Sequence, residues 1–437
     1  MRRVLFVSPH FPPDTSAATH RARLLAPHLA AAGWTPTVLT CTPASYGTRL
    51  DRDLLALVPD TLRVERVDAW PERLTRLFGV GDLGFRARLP LRRRARALLG
   101  AERYHALVIT TYPTYPATFG PALAREFAIP FVLDLQDPWV GAWGLTTGPG
   151  GVPDMRSRVS RAIAIHIERR TARGAAALTA VSARTYQDLQ ARVPEARGLP
   201  CAEIPLGGDE ADFALVRNTP WTNPWWQPND GRRHLAWVGT LLPTGIPVMR
   251  ALLTGLRDAV ARDPALGGRI ALHVLGTSNE TRANAPPRVA PIARELGVEH
   301  LVHEHAPRID YLDALRVLVH ADAIVLAGSV ERHYTASRLY PALLAERPLV
   351  ACYHEASSVV TALRAAMKPP TARLVTFGDA GPNTTTVAAL GDALAAVTAN
   401  PEWRADDVDV RAMDAWSARA MAARLGALLD RVAAPIA

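Results

Sequence analysis

The stretch from Ala321 to Tyr353, ADAIVLAGSVERHYTASRLYPALLAERPLVACY, runs from an apolar segment through a polar loop and a helical segment into a second apolar segment. Read as strand, loop, helix and strand, it is one unit of a parallel sheet with helices packed on it. The arrangement brings the loop and the start of the helix to the C-terminal end of the sheet. There, unpaired N–H groups and the helix dipole favour an anion. The loop carries Ser329, Glu331, Arg332, His333, Tyr334, Thr335, Ser337 and Arg338. So many hydrogen-bonding groups on one crest suit an anionic, hydroxyl-rich ligand.

The same rhythm repeats along the chain and implies an α/β fold in two halves. Strand Val4–Val7 leads through the loop Ser8–Ala17 into a helix with Leu25, Leu29 and Ala32 on one face, which Pro27 should kink. Further apolar runs fall at Thr37–Thr40, Leu107–Thr110 and Phe131–Leu135. The second half opens with His234–Gly239, continues with a helix over Pro247–Arg262 and strands over Ile270–Gly276 and Ala323–Leu326, and ends in the segment described above. Between the halves, Asn218–Asp230 is rich in proline and asparagine and reads as a linker. The expected domains are therefore 1–212 and 233–410, joined by 213–232 and followed by a final helical segment, 411–437. Two or three domains fit a chain of 437 residues.

Charge narrows the chemistry. The net charge is +9, and Lys368 is the only lysine among 50 basic residues. A P-loop needs its Gly-Lys-Ser/Thr and a pyridoxal-phosphate enzyme its Schiff-base lysine, and Met-Lys-Pro-Pro supplies neither. A basic balance without a nucleic-acid motif favours phosphorylated substrates or an anionic membrane. Cys41, Cys201 and Cys352 lie too far apart for a metal knuckle or a disulfide framework. Asp51-Arg-Asp53 and Asp407-Val-Asp409 read as structural acids, so no metal is expected. A strand directly after Met-Arg-Arg, and apolar runs well short of a membrane span, lead to the expectation of a cytoplasmic protein.

Four landmarks in order carry a resemblance: FVSPHFPPDTSAATHR, IPFVLDLQDPW, IPLGGDEADF, and WVGTLLPTG followed by ADAIVLAGSVERHYTASRLYPALLAERPLVA. Over almost its full length the chain resembles GT-B glycosyltransferases, closest to the family-4 group of retaining nucleotide-sugar transferases. The resemblance implies two facing Rossmann-like domains around a central cleft, with the acceptor mostly on the first and the donor mostly on the second. It also implies that Met413–Val432 crosses back to the first domain. A nucleotide-diphosphate sugar is then the co-substrate, with no cofactor and no metal, and a hexosyl group passes with retention to a hydroxyl acceptor.

Several family positions are changed. Where members carry two glycines, this chain has Ser16-Ala17-Ala18, followed by His20 and Arg21, which either hold a phosphate or form polar faces of the first helical turn. Gln136 replaces a histidine near the sugar and can hold a hydroxyl but not act as a base. Asp137 binds a hydroxyl or caps the following turn. Gly239 is kept, while Thr240 and Thr244 stand where an arginine and a lysine would neutralise the donor diphosphate. Arg338, and next Arg332, are the substitutes. His333 and Pro341 occupy the slots of two glutamates, leaving Glu331 for the sugar, with the backbone around Pro307 and Arg308 for the base. These losses keep two alternatives open: a non-catalytic GT-B subunit and a sugar-nucleotide epimerase.

Two further stretches bear on partners. Trp70 to Leu98 places Leu74, Leu77 and Phe78 beside Arg73 and Arg76 and continues through Arg86, Arg88, Arg92, Arg93, Arg94 and Arg96. It reads either as a surface for anionic lipid, suiting a lipid-linked acceptor at the inner membrane face, or as a basic helix packed on the sheet. Trp221, Trp225 and Trp226 stack on a sugar or pack a hinge, and the glycine-rich 141–153 is a candidate acceptor lid.

Overall fold

Apolar runs with little alternation, such as VLFV, ALVIT and FVLDL, have no polar face to offer water and form strands covered on both sides. A computed structural model, which describes residues 1–47, 49–76, 81–140, 155–332 and 338–433, places them in two all-parallel sheets. The first comprises β1 (Arg2–Val7), β2 (Trp34–Cys41), β3 (Arg63–Val67), β4 (Ala106–Thr110), β5 (Phe131–Leu135), β6 (Ala177–Ala180) and β7 (Cys201–Glu203). Its order is β3-β2-β1-β4-β5-β6-β7. The second comprises β8 (Arg233–Val238), β9 (Ile270–Leu275), β10 (Val302–His305), β11 (Ala323–Ala327), β12 (Leu349–His354) and β13 (Ala372–Phe377), in the order β10-β9-β8-β11-β12-β13.

Each sheet starts at its middle and winds outward both ways. The order therefore reverses between β1 and β4 in one sheet and between β8 and β11 in the other. Loops leaving the C-terminal ends of these strands part at the reversal, which is where open α/β sheets take their ligands. In the second sheet the parting begins early. The β8/β11 ladder holds only Ala323 opposite Leu235 and Ile324 opposite Ala236, against four residue pairs between β1 and β4.

Residues 1–206 together with the helix Ala418–Val432 make one compact unit, and Gly207–Ser417 make the other. The helix buries Met421, Ala422, Leu425, Leu428 and Leu429 in the core that also holds Leu29 and Trp34. Gly426 allows it to approach closely, since a β-carbon there would stand 2.5 Å from that of Ala32. The first helix runs Thr19–Leu25 and tightens into a 3₁₀ turn over Ala26–Ala32 where Pro27 enters, ending on Gly33 at φ +82°.

The chain changes unit after Leu206, ahead of the linker read at 213–232. Glu210–Asn218 is a helix of the second unit that buries Phe213 and Val216, and its Asp212 accepts a hydrogen bond from the Tyr311 hydroxyl. Among the linker tryptophans, Trp221 donates to Asp313 and Trp226 lies against His234 and His273. These rings pack within the unit. The two Asp-x-Asp sequences are also accounted for locally: Asp51 and Asp409 cap 3₁₀ turns, and Asp407 accepts from Thr371.

His234, His273 and His303 lie on neighbouring strands under Trp226. Burial, reinforced by its two histidine neighbours, pushes His273 down to about 3, and its Nδ1 is enclosed without a hydrogen-bond partner among the described residues. The folded chain thus holds this ring neutral, whereas the unfolded chain protonates it below about pH 6.5. Stability is full above that pH and is lost as the pH falls toward 3, at up to about 1.4 kcal/mol per unit. Going from pH 7 to pH 5 should cost about 2 kcal/mol in urea unfolding, and His273→Leu should flatten most of that slope. An unchanged slope in the variant would assign the acid sensitivity elsewhere.

Candidate functional site

At the reversal of the first sheet, the loop after β1 turns on Asp14, a fully buried carboxylate. It accepts hydrogen bonds from His10 Nδ1 at 2.7 Å, Ser16 Oγ at 2.5 Å and Thr19 Oγ1 at 2.9 Å. With Nδ1 held against Asp14, Nε2 is the ring nitrogen left for a ligand. The ring stacks on Tyr46, with centroids 5.8 Å apart, and lies 6.2 Å from that of Tyr112. Across the reversal, Gln136 donates its amide to Thr110 Oγ1 and keeps its carbonyl oxygen for another donor. Asp137, at the mouth, reaches solvent, yet the protein around it raises its carboxyl above the usual range. Imidazole, phenol, amide and carboxylate groups of this kind suit hydroxyls.

Of the two readings of Ser16, Ala17, Ala18, His20 and Arg21, a phosphate grip or polar faces of the first turn, the contacts around them favour the second. Asp14 already stands as the anion beside the helix start. The N–H groups of Thr19, His20 and Arg21 turn back onto the carbonyls of Ser16, Ala17 and Ala18. Arg21, only 1% exposed, points inward: Nε and Nη2 bind the Asp134 carboxylate, and Nη1 donates to the carbonyls of Ile204 and Pro205. His20 accepts from Arg23 Nε through Nδ1. The polar faces of the first turn serve the fold.

The second unit carries Arg338, the substitute expected for the charge missing at Thr240 and Thr244. Just past the short β8/β11 ladder, the Val238 carbonyl accepts a hydrogen bond of 2.8 Å from Arg338 Nη1. The guanidinium carbon sits 4.6 Å from the centre of the Trp237 ring, a cation–π arrangement that fixes the plane of the fork. Gly239 makes room for it. A β-carbon there would come within 3.0 Å of Nη1, and the backbone holds φ +127°, which only glycine adopts without strain. Arg338 thus stands at the reversal with most of its five N–H donors uncommitted among the described residues. Half-buried Thr240 follows Gly239 directly.

Other candidates have partners of their own. Arg332 is paired with Asp379, whose second neighbour is His354 Nε2 at 3.0 Å. His354 first and Arg332 second hold that carboxyl below its usual range. Arg332 is thus ion-paired at the surface, while Arg338 has no carboxylate within ion-pair distance among the described residues. Glu331 is exposed, accepts from Ser329 Oγ at 3.3 Å and donates its N–H back to the same oxygen. Arg308 anchors its loop by an N–H to the Glu280 carbonyl, and Pro307 beside it is half-buried. Pro341 is buried in the helix Leu339–Leu344. His333, Tyr334, Thr335 and Ser337 lie outside the described residues, as does 141–153.

Sequence reasoning passed over His10 and Asp14. A histidine four residues before an aspartate, in the loop leaving a first central strand, was the available signal.

Residues 16–207 match the model of a glycosyl transferase 4-like domain. No curated protein sequence matches the chain. Among solved structures, a UDP-forming α,α-trehalose-phosphate synthase from Burkholderia vietnamiensis superposes with a TM-score of 0.57 at 10% identity, covering 99% of each chain. Anabaena HepE in complex with UDP gives 0.50 at 13% identity, over 99% of this chain and 95% of that one. A putative UDP-N-acetylglucosamine 2-epimerase from Listeria monocytogenes gives 0.50 at 12%, over 98% and 94%. At such identities the likeness is one of fold: the chain has the GT-B fold of two Rossmann-like units. The resemblance to family-4-type GT-B transferases read from the sequence is borne out.

Proposed function

We propose that the chain is a glycosyltransferase that moves a hexosyl group, with retention, from a nucleotide-diphosphate sugar to a hydroxyl acceptor. The acceptor belongs to cell-surface polysaccharide, glycolipid or related glycoconjugate synthesis at the inner face of an anionic membrane, met through residues 70–98. The observation carrying this reading is Arg338, held on Trp237 and Gly239 at the strand reversal of the second unit with donors to spare. Bidentate guanidinium contacts suit the donor diphosphate, with help from the Thr240 N–H, since that of Gly239 is held by the Leu275 carbonyl. The HepE structure contains UDP, which fits a donor of this kind.

On the acceptor side, His10 Nε2, the Gln136 carbonyl oxygen and Asp137 accept hydrogen bonds from hydroxyls, and Glu331 approaches the donor sugar. In a retaining transfer the acceptor oxygen enters on the face from which the diphosphate leaves, and its proton passes to the departing phosphate oxygen. The demand on the protein is to stabilise the charge growing on that phosphate, the task given to Arg338. No metal is assigned a part.

A thermal-shift screen against nucleotide-diphosphate sugars tests the reading. A true donor at about 100 times its dissociation constant adds about 2.7 kcal/mol of stability. A subunit without activity gives no response to any of them. Release of free nucleotide and an inverted sugar from donor alone would identify an epimerase instead.

A further inference from the structure

A groove of about 530 Å³ opens on the first unit between the helices Leu83–Ala101, Gly120–Phe127 and Met155–Ala172. Its floor is Phe119 and Ile167, and its lip is the edge-to-face pair Phe85 and Tyr115, with centroids 5.8 Å apart. Around it stand Arg88, Arg92, Arg125 and Arg170. Among the described residues none of these four has a carboxylate within ion-pair distance, whereas Arg94 and Arg96 of the same helix are paired with Glu65 and Glu126. Arg88 has its guanidinium pushed below the usual range by burial and by Arg92.

The Met155–Ala172 helix extends the apolar floor outward. Met155, Val159 and Ile163 follow one another at four-residue spacing toward Ile167 and are 74%, 51% and 54% exposed. Aliphatic side chains on one stripe, left in water beside uncompensated arginines, form an amphipathic face with one chemistry on each side. A flat polyanion would engage the arginines and leave the stripe wet. An acidic peptide would leave it equally unused.

We propose that this groove and stripe dock on the surface of a bilayer rich in acidic phospholipid, with Val159 and Ile163 in the acyl boundary and the four arginines on lipid phosphates. No described helix is long and apolar enough to cross a membrane, so the contact is peripheral. This deepens the membrane part of the proposed function but places the seat on three helices instead of on residues 70–98 alone. In that stretch Arg86 is buried against the carbonyls of Trp70 and Ser45, the helix Glu72–Thr75 is four residues long, and Leu77 and Phe78 lie outside the described residues.

Co-sedimentation of the full chain with phosphatidylcholine vesicles, with and without phosphatidylglycerol, tests the proposal apart from any transfer assay. Binding is expected only with phosphatidylglycerol and should weaken as salt rises. It should fall about tenfold or more in Arg92→Glu/Arg170→Glu, and also in Val159→Ser/Ile163→Ser. All four positions are exposed, and unchanged melting midpoints would establish that the variants fold. Arginine variants that lose binding while the serine pair keeps it would reduce the face to a soluble-anion site and overturn the proposal. So would competition by inorganic phosphate at concentrations that leave ionic strength unchanged, or no binding to either vesicle. Donor binding in the thermal-shift screen is expected to survive every one of these substitutions, so the two readings fail separately.

Discussion

Replacing Arg21 by methionine is expected to lower the stability of the first unit by about 3–5 kcal/mol, the usual cost of leaving one partner of a buried ion pair alone. For a unit of this size the melting midpoint should drop by about 10 °C. Arg21 and Asp134 are both about 1% exposed on their side chains, and among the described residues the carboxylate has one other side-chain donor, the Thr179 hydroxyl at 2.6 Å. Without the guanidinium, the buried Asp134 carboxylate loses its ion-pair partner, and the carbonyls of Ile204 and Pro205 lose their donor as well. Arg21→Met/Asp134→Leu removes the orphaned charge and should recover a good part of the loss, so the double variant is expected to melt above the single one. If the single variant melts within about 1 kcal/mol of the parent, the pair is not holding the first helix to β5 and to the chain's exit from this unit.

That ion pair also marks where sequence stops speaking. His20-Arg21 at a helix start reads equally well as a phosphate grip or as an internal tie, because the deciding partner is 113 residues away on β5. The parallel sheets were legible, since runs such as VLFV and FVLDL leave no other way to be covered, and Pro27 marked the change of helix type. The change of unit was less so. Glu210–Asn218 carries its own apolar face, and only packing decides which core Phe213 and Val216 enter. Arg338 could be chosen from its loop, but its seat on Trp237 and Gly239 joins positions about a hundred residues apart. The basic helix was visible as basic. Which of its arginines already have partners depends on Glu65 and Glu126, which lie on other elements.

Arg338→Ala should weaken nucleotide-sugar binding by about 10- to 100-fold, because charge-assisted hydrogen bonds contribute about 1.5–3 kcal/mol. Ligand at about 100 times the parent's dissociation constant would then stand at about 1 to 10 times that of the variant, and the stabilisation would shrink from about 2.7 to about 0.4–1.4 kcal/mol. The substitution also strips the Val238 carbonyl of its donor and uncovers Trp237, so the unliganded midpoint should fall too. These two effects separate cleanly, since one is read without ligand and the other as the difference that ligand makes. Arg338→Lys sharpens the comparison: it keeps the charge but loses the planar fork and most of the stacking, and should bind between the parent and the alanine variant. A lowered unliganded midpoint with a full ligand response would make Arg338 a plug for a strand end that β11 leaves unpaired. A response lost in alanine and partly kept in lysine is what a diphosphate at this reversal requires.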